Sequence, residues 1–429
     1  MEILVLILSF IVLLALGVPV AFTIGISGIL TMLLSMDAMP AMATFSLRMS
    51  AGLDSFALLA IPFFVLAGNI MNKGGIAIRL VDFAKVLVGP FPGGLAFVNV
   101  MANMLFGAIS GSAAASASAI GSIMGPEMKK AGYDEKFSAS VNITSAITGL
   151  VIPPSNVMIV YSLASGGVSI SALFIAGYIP GIMMGIGIMM IAGYFAWKYK
   201  YPTMPISSLK NAVSKFLRAI PSLLMLIVVI GGIVAGIFTA TEASAIAVLY
   251  AFLLALYYKE MKWKHVPAIL LQSAKTTAIV LLLVATCTGL SWIMSYENLP
   301  QNASTWLLSV SDNPLVILLM INLILLFVGM FMDITPAVLI FTPIFLPIAV
   351  SQLGMNPIHF GIMMIMNLTL GLCTPPVGSI LFIGCSVAKL RIDQVFKPIL
   401  PIIGVLLIIL ILVTVFPALS LWLPSLFGL

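Results

Sequence analysis

Charged side chains are scarce in this chain: Asp, Glu, Lys and Arg make up 7% of its 429 residues, whereas 62% are hydrophobic. The mean hydropathy is +1.24. A soluble protein of this length needs far more charge to cover its surface, so the composition excludes that class and indicates a multi-span membrane protein. The first apolar run, from Ile3 to about Leu16, lacks a basic n-region and a small-residue cleavage site. We therefore interpret it as a retained span.

Residues that support enzymatic or metal chemistry are also few. The three cysteines, Cys287, Cys373 and Cys385, all lie in apolar runs, which favours packing over disulfides or metal sites. A phosphate-binding Gly-rich loop with Lys is missing, and the Gly-x-Ser patterns have no nearby His or Asp, which excludes ATP-driven pumping and nucleophilic hydrolysis. The net charge of +6 comes from short basic clusters rather than one patch. The sequence thus predicts no enzyme, no organic cofactor and no nucleic-acid partner.

A set of glycines and a double proline occurs twice, with a constant offset of 222 positions. The matching pairs are Gly107 and Gly329, Gly132 and Gly354, Gly149 and Gly371, and Pro153-Pro154 and Pro375-Pro376. Several glycines and a double proline that recur at one constant spacing indicate an internal duplication.

The basic residues indicate how the two halves are oriented. Lys129, Lys130 and Lys136 follow the first motif, whereas the matching stretch 351–358 is uncharged. After the double prolines the asymmetry reverses: residues 165–171 are uncharged, but their counterparts include Lys389, Arg391 and, slightly later, Lys397. Because basic loops stay cytoplasmic, the halves are predicted to have opposite orientations, as in secondary transporters with inverted repeats.

On this topology both termini are periplasmic, and 17 of the 19 Lys and Arg residues are cytoplasmic. Arg48 lies in a short outer loop and Lys275 within a span. The predicted fold is an all-α polytopic membrane protein with two inverted-topology repeats, each containing a re-entrant helical hairpin and a broken transmembrane helix. The first repeat is 1–205 (hairpin about 92–126, broken helix about 138–164), and the second is 221–429 (hairpin about 314–350, broken helix about 361–388). A basic linker, 206–220, is predicted to form an amphipathic helix.

Spans broken by Gly and Pro leave backbone groups without helical partners, which is tolerated only where they are buried in protein or line a cavity. Carbonyls at half-helix C-termini bind cations, and amides at half-helix N-termini attract anions. We therefore predict two quasi-equivalent sodium sites with substrate between them. The predicted sodium residues are Ser110, Gly111, Ser112, Thr148, Gly149, Val151 and Pro153 in the first half, and Gly329, Asp333, Thr335, Gly371, Thr374 and Pro376 in the second. The predicted substrate residues are Ser112, Ser155, Asn156, Thr335, Gly378 and Ser379.

Two alternatives to these sites remain open. Small-residue runs such as 112–119 also mediate helix packing without any ligand, although repetition of the break in both halves favours binding. Oxygen-only sites favour sodium, whereas protons need carboxylate or histidine relays. Neither His265 nor His359 is predicted to lie in a span. Asp333 is predicted to orient the sodium site, with a proton relay as the alternative.

Four further ionisable residues are candidates for an ion pair or an interface contact. Asp54 and Lys275 are 221 positions apart, close to the repeat offset, and we predict a salt bridge between them. Glu242 and Arg48 are predicted at the outer surface, with contact to an anionic partner or substrate as the alternative for Arg48. Unpaired charges in a membrane are costly, so pairing is favoured over direct substrate binding.

The hairpin and break motifs resemble those of a known family. Gly107-Ala-Ile-Ser-Gly-Ser112 followed by Ala119-Ile-Gly-Ser-Ile-Met-Gly-Pro126, and Gly149-Leu-Val-Ile-Pro-Pro-Ser-Asn156, are similar to the large membrane subunit of tripartite ATP-independent periplasmic (TRAP) transporters. The segment 55–68 is similarly typical, and the resemblance covers essentially the whole chain.

The resemblance implies an elevator-type transporter in the bacterial inner membrane that takes up an organic acid on a sodium gradient. It implies two protein partners, a small four-helix membrane subunit and a periplasmic substrate-binding protein, in addition to membrane lipid. The run 113–119 and Gly125-Pro126-Glu127 are closer to members that transport sialic or other sugar acids than to those for C4-dicarboxylates. The alternatives are a self-sufficient sodium- or proton-coupled carboxylate carrier, and a channel or purely structural membrane subunit.

Overall fold

The computed structural model describes residues 2–203, 208–311 and 313–429. Within these ranges the regular structure is helical, and eight helices are long and apolar enough to cross a membrane, or nine when one bent pair counts as a span. This confirms the predicted all-α, multi-span class. A helix is favoured in lipid because it satisfies its backbone hydrogen bonds internally.

The helices of the two halves follow one another in the same order. Those of the first half are α1 (Glu2–Ala15), α2 (Val20–Ser35), α3 (Ala38–Leu53), α4 (Ala60–Lys73), α5 (Ile76–Val88), α6 (Gly94–Ser110), α7 (Ala113–Lys130), α8 (Glu135–Ala146), α9 (Thr148–Val151), α10 (Asn156–Ala164) and α11 (Ile170–Tyr199). Those of the second half are α12 (Leu209–Val234), α13 (Ala240–Tyr257), α14 (Val266–Tyr296), α15 (Leu299–Val310), α16 (Pro314–Phe331), α17 (Ile334–Pro347), α18 (Pro357–Gly371), α19 (Ser379–Ala388), α20 (Ile392–Val415) and α21 (Ala418–Leu426).

The offset of 222 positions relates helices well beyond the glycine and proline motifs. It places α5 on α15, the hairpin α6–α7 on α16–α17, the broken helix α8–α10 on α18–α19, and α11 on α20. The long helix α14 covers the positions that α3 and α4 occupy in the first half, where the chain is interrupted at Asp54 and Ser55. The correspondence therefore extends through most of the chain.

Arg48 lies on a helix, and the expectation of a short loop around it was wrong. Helix α3 has 16 residues, and it packs across α14 near the end that carries Trp292. Its small residues permit this contact: a Cβ on Gly52 would lie 2.4 Å from Thr288 Oγ1. A run containing Gly and Ser is a weak helix former by itself, so packing against α14 accounts for the helical conformation.

The predicted linker coincides with the beginning of α12. Residues 206 and 207 lie outside the described residues, and α12 then runs without interruption from Leu209 to Val234. Lys215 on its first turns lies 3.4 Å from Asp82 of α5. The described part of the basic segment is thus the first part of α12, a helix that is long and apolar enough to cross a membrane.

The two broken helices form the centre of the packed structure. Every residue from 137 to 146 in α8 and from 359 to 371 in α18 is buried. Helix α8 packs against hairpin α6–α7 and α18 against hairpin α16–α17. This arrangement places the helix breaks deep inside the protein.

Most ion pairs of the described residues lie near the ends of α5, α7 and α13. Lys85 lies 2.8 Å from Glu127, Lys129 lies 2.7 Å from Glu135, and Arg79 lies 3.7 Å from Glu260. Pairs of this exposure contribute at most about 1 kcal/mol each. Their main consequence is that charged residues are concentrated at one end of the helix bundle.

Candidate substrate and ion site

A cavity of about 600 Å³ lies where both hairpin tips meet both broken helices. The first half contributes the tip 110–112 and Asn156, and the second half contributes the tip residues 333–335 and Ser379. Helices α4 and α14 complete the wall. The two hairpin–break pairs that the sequence predicts therefore face a single shared cavity.

In the first half, hairpin and broken helix touch backbone to backbone. A Cβ added to Gly149 would lie 2.3 Å from the Cα of Gly107. Helix α9 ends at Val151, and the cis peptide Pro153-Pro154 follows. Since proline has no N–H, it cannot pair with the carbonyls of the preceding turn. Ser155 Oγ donates to the carbonyl of Leu150 at 2.6 Å, which gives one of these carbonyls a side-chain partner.

The second half repeats this contact with different side chains. A Cβ added to Gly371 would lie 2.4 Å from the carbonyl carbon of Gly329. Gly378 has a φ of +50°, and its N–H donates to the carbonyl of Met330 at 3.0 Å, so the break is bonded directly to the hairpin. A side chain at Gly378 would be strained in this left-handed conformation.

Each hairpin tip is closed by a polar cap that also faces the cavity. Ser112 Oγ accepts the N–H of Ala115 at 3.2 Å, and Asp333 Oδ1 accepts the N–H of Ile334 at 2.8 Å. Gly111 has a φ of +61°, which lets the chain turn between α6 and α7. Asp333 therefore caps α17 and lines the cavity at the same time.

Asn156 carries an unpaired polar atom at this cavity. Its Oδ1 is buried and has no hydrogen-bond partner among the described residues. An unsatisfied buried acceptor costs about 1–3 kcal/mol, and native structures rarely keep one without a reason. An oxygen of this kind suits a cation or a hydroxyl group of a ligand.

The structure separates the predicted site residues into those that line the cavity and those behind it. Lining it are Ser110, Gly111, Ser112, Asn156, Asp333, Thr335 and Ser379. In the breaks or the glycine contacts behind this lining lie Thr148, Gly149, Val151, Pro153, Ser155, Gly329, Gly371, Thr374, Pro376 and Gly378.

Four polar residues of the cavity wall were missed from the sequence. They are Asn69 and Asn72 of α4, and Gln272 and Thr276 of α14. The available signal was the presence of amide side chains inside apolar spans, since intramembrane polar groups commonly mark transport pathways. These four residues lie outside the helix breaks at which the sequence predicts ligands.

Hydrogen bonds among buried asparagine and serine side chains connect each hairpin to its broken helix. Asn103 Nδ2 lies 2.7 Å from Asn99 Oδ1 and 2.8 Å from Ser145 Oγ, and its Oδ1 accepts from Ser116 Oγ at 2.7 Å. In the second half, Asn367 Nδ2 donates to Asn322 Oδ1 at 2.7 Å. Networks of this kind rigidify the elements that carry the tips.

His359 lies in the first turn of α18, and its position relative to a membrane span stays a prediction. It is buried in α18, and its Nδ1 lies 2.6 Å from Ser420 Oγ. The contact joins the C-terminal helix α21 to the centre of the protein. His265 lies at the beginning of α14.

The predicted salt bridge between Asp54 and Lys275 was wrong. Asp54 lies two residues after Gly52, which contacts Thr288 on α14. Lys275 precedes Thr288 by 13 residues in the same helix, a separation of roughly 20 Å along its axis. Positions related by an internal repeat are structurally equivalent, but equivalence does not make them neighbours.

Exchanging these two charges should therefore give no mutual rescue. We expect the melting-temperature changes of Asp54→Lys and Lys275→Asp to add in the double variant, because distant sites are independent. Thermal unfolding in detergent measures this. Recovery of stability in the double variant would mean that the two side chains interact.

Arg48 and Glu242 make local contacts away from the cavity. The Arg48 guanidinium lies 5.5 Å from the centre of the Trp292 ring, and Glu242 accepts the N–H of Thr239 at 2.8 Å in a capping box. The first is a cation–π contact and the second stabilises the start of α13. Neither residue lines the cavity.

Comparison with known proteins identifies the family. The family profile described as "Tripartite ATP-independent periplasmic transporter, DctM component" matches residues 7–419. The chain is 55% identical over 420 residues to uncharacterized protein YgiK of Salmonella typhimurium, covering 98% of this chain and 96% of that protein. It is 40% identical to the C4-dicarboxylate TRAP transporter large permease protein DctM of Pseudomonas aeruginosa (95% and 94% covered). It is also 40% identical to the sialic acid TRAP transporter large permease protein SiaM of Vibrio cholerae (89% of each).

A solved structure supports the fold alone. The YdaH transporter of Alcanivorax borkumensis superposes with a TM-score of 0.66 over 89% of each chain, at 13% identity. The equal identities to DctM and SiaM favour neither substrate, so the predicted preference for sialic or sugar acids stays a prediction. The residue motifs, the polytopic helical fold and the family match agree: this chain is a transport protein rather than an enzyme, and it belongs to the DctM family of TRAP transporter large permeases.

Proposed function

We propose that this chain is the sodium-coupled transport subunit of an organic-acid uptake system in the bacterial inner membrane. The observation that carries the proposal is the cavity shared by two hairpin tips and two helix breaks. Breaks of this type supply oxygen ligands for cations and N–H groups for anions at the same depth of the membrane. A carboxylate and its coupling ions therefore find complementary groups in one place.

Opposite orientation of the two halves is supported by packing and charge. Helix α19 of the second half packs against α7 of the first hairpin, and α10 of the first half packs against α17 of the second hairpin. The ends of the first hairpin carry Lys85 and Lys129 nearby, whereas residues 311–313 and 348–356 beside the second hairpin contain no Lys or Arg. Since basic loops are cytoplasmic, the first hairpin enters from the cytoplasm and the second from the periplasm, and both termini are periplasmic.

An elevator motion fits this division of the helices. The hairpins and broken helices form the moving unit that holds substrate, and the remaining helices form the scaffold. The asparagine networks and glycine contacts hold each hairpin on its broken helix, so that the cavity can move as a rigid body. Alternating access in inverted-repeat transporters uses rigid-body displacement of this type.

Asp333 is the charged group of the proposed second sodium site. Asp333→Asn keeps an oxygen for the cap on Ile334 but removes the negative charge. We expect the sodium concentration for half-maximal uptake to rise about tenfold, which corresponds to about 1.4 kcal/mol of lost ion binding. Sodium titrations of uptake measure this.

The matched control is Asp134→Asn, since Asp134 caps α8 in the same manner but does not line the cavity. It should leave the sodium dependence unchanged. If Asp333→Asn kept the normal sodium dependence but lost coupling to a pH gradient, Asp333 would be a proton relay instead.

The matching family is described as a tripartite transporter, and this chain covers more than nine-tenths of one of its components, the DctM large permease. This supports two further components on separate chains. We propose a small four-helix membrane subunit and a periplasmic binding protein. The test is reconstitution in proteoliposomes, omitting each component in turn, with labelled succinate, sialic acid and a sugar acid as substrates.

Uptake of one of these acids should require all three proteins and an inward sodium gradient. Uptake by this chain alone would identify a self-sufficient carrier and contradict the proposed partners. Uptake driven by a proton gradient without sodium would contradict the proposed coupling ion.

A further inference from the structure

A second cavity adjoins the transport cavity, between the end of α4 and the beginning of α14. It measures about 480 Å³ and is lined by Asn69, Asn72, Lys73, His265, Ala268, Ile269 and Gln272. Three of these residues, Asn69, Asn72 and Gln272, also line the transport cavity. The two cavities are therefore neighbours that share part of their wall, and the second lies toward the end of the bundle that carries Lys73.

The polar lining of the second cavity is rich in hydrogen-bond donors. Asn69 Nδ2 donates to Ser273 Oγ at 2.8 Å, which fixes its side chain. The side chains of Asn72, Lys73, His265 and Gln272 make no hydrogen bond or ion pair within the described ranges. No Asp or Glu of the described residues lines this cavity. A pocket with an ammonium group, amide donors and no carboxylate suits an anion.

The position of this pocket ties it to one step of transport. Helices α4 and α14 belong neither to the hairpins nor to the broken helices, so its wall stays in the scaffold when the hairpins move. Lys262 and Lys264 in the loop before α14 add positive charge at the same end, which attracts anions over a distance. In the proposed orientation this end is cytoplasmic.

We propose that the second cavity is an exit vestibule that binds the carboxylate of the transported organic acid as it leaves the hairpin tips. Lys73 supplies the charge, and Asn72 and Gln272 supply N–H donors along the way. The vestibule lowers the free-energy cost of moving an anion from the tips to the cytoplasm. At each point along the way the carboxylate keeps at least one hydrogen-bond donor from the cavity wall. This inference rests on the proposed function, of which it specifies the release step.

The test varies the internal concentration of the transported acid. Complete three-component proteoliposomes are preloaded with unlabelled acid, using whichever of succinate or sialic acid the wild type takes up. The effect of the internal acid on labelled external uptake then gives an apparent internal affinity. Because the binding protein is present only outside, uptake reports on one orientation of the transporter.

In Lys73→Gln and in His265→Leu, which alter residues that line the second cavity but not the transport cavity, the internal concentration for half-maximal effect should rise about five- to tenfold, a loss of about 1 kcal/mol or slightly more. The external KM should stay within about twofold, because the external substrate reaches the tips without crossing the vestibule. Lys262→Gln is the matched control, since it removes a nearby charge that does not line the cavity. The melting temperatures of all variants verify folding.

An unchanged internal affinity in both folded variants would overturn the vestibule while leaving the uptake function intact. An equal change in Lys262→Gln would also overturn it, because the effect would then come from the general charge of the loop. Absence of uptake of any acid by the wild type would instead overturn the proposed function itself.

Discussion

Gly149→Ala is expected to reduce uptake to background and to lower the melting temperature by several degrees. The added Cβ would lie 2.3 Å from Gly107 Cα and 2.9 Å from Ala108 N, and both neighbours are backbone atoms that cannot rotate away. Overpacking of this kind costs about 1–3 kcal/mol or more. The first hairpin must shift away from the broken helix, and the proposed ion ligands at the tip and the break then lose their common geometry. Uptake and thermal unfolding of the same preparation measure both effects.

The matched control is Gly125→Ala, because a Cβ at Gly125 meets nothing within 4 Å. This glycine lies inside helix α7, where alanine is favoured by about 0.8–1.0 kcal/mol. Uptake should be retained and stability should be unchanged or higher. Normal transport in Gly149→Ala would mean that the close contact between hairpin and broken helix is not required.

Asn156→Leu is expected to lower the uptake rate by about a hundredfold or more, equivalent to about 2.7 kcal/mol, while leaving thermal stability unchanged or raised. The Oδ1 atom of Asn156 is buried at the cavity without a hydrogen-bond partner among the described residues. Replacing an unsatisfied polar group with an apolar one removes a cost to folding. Loss of function without loss of stability is what a ligand-binding side chain should show.

Asn367→Leu is a comparison variant that, unlike Asn156→Leu, should lower stability. Asn367 also has a buried Oδ1 without a partner, but its Nδ2 donates to the carbonyl and the Oδ1 of Asn322 at 2.8 and 2.7 Å. Removing this donor leaves the buried Oδ1 of Asn322 without this partner, so stability should fall by about 1–3 kcal/mol. If Asn156→Leu destabilised the protein as strongly as Asn367→Leu, Asn156 would have a structural role rather than a ligand-binding one.

The helical, multi-span class could be predicted because the scarcity of charge and the length of the apolar runs leave few other structures. The observed hairpin α6–α7 and break at Pro153 occupy segments for which the sequence predicts a hairpin and a broken helix. Gly and Pro act locally there, by allowing left-handed backbone and by removing an N–H donor. Local backbone preferences of this type can be recognised from the sequence without knowing the tertiary structure.

The remaining features depend on contacts between distant segments. Helix α3 around Arg48 is stabilised by packing on α14, and α12 continues the basic segment without a break. Asn72 and Gln272 approach each other only because α4 and α14 pack together. The error over Asp54 and Lys275 has the same origin, since the sequence reveals which positions are equivalent but not which are neighbours.

The most direct test of the central claim, that sodium and substrate share the cavity between the hairpin tips, is simultaneous measurement of labelled sodium and labelled organic-acid uptake. The complete system would be reconstituted with wild-type chain or with Asn156→Leu. We predict that both fluxes appear together in a constant ratio in the wild type and disappear together in the variant. Substrate uptake without sodium flux, or unaltered coupled uptake in Asn156→Leu, would contradict the account.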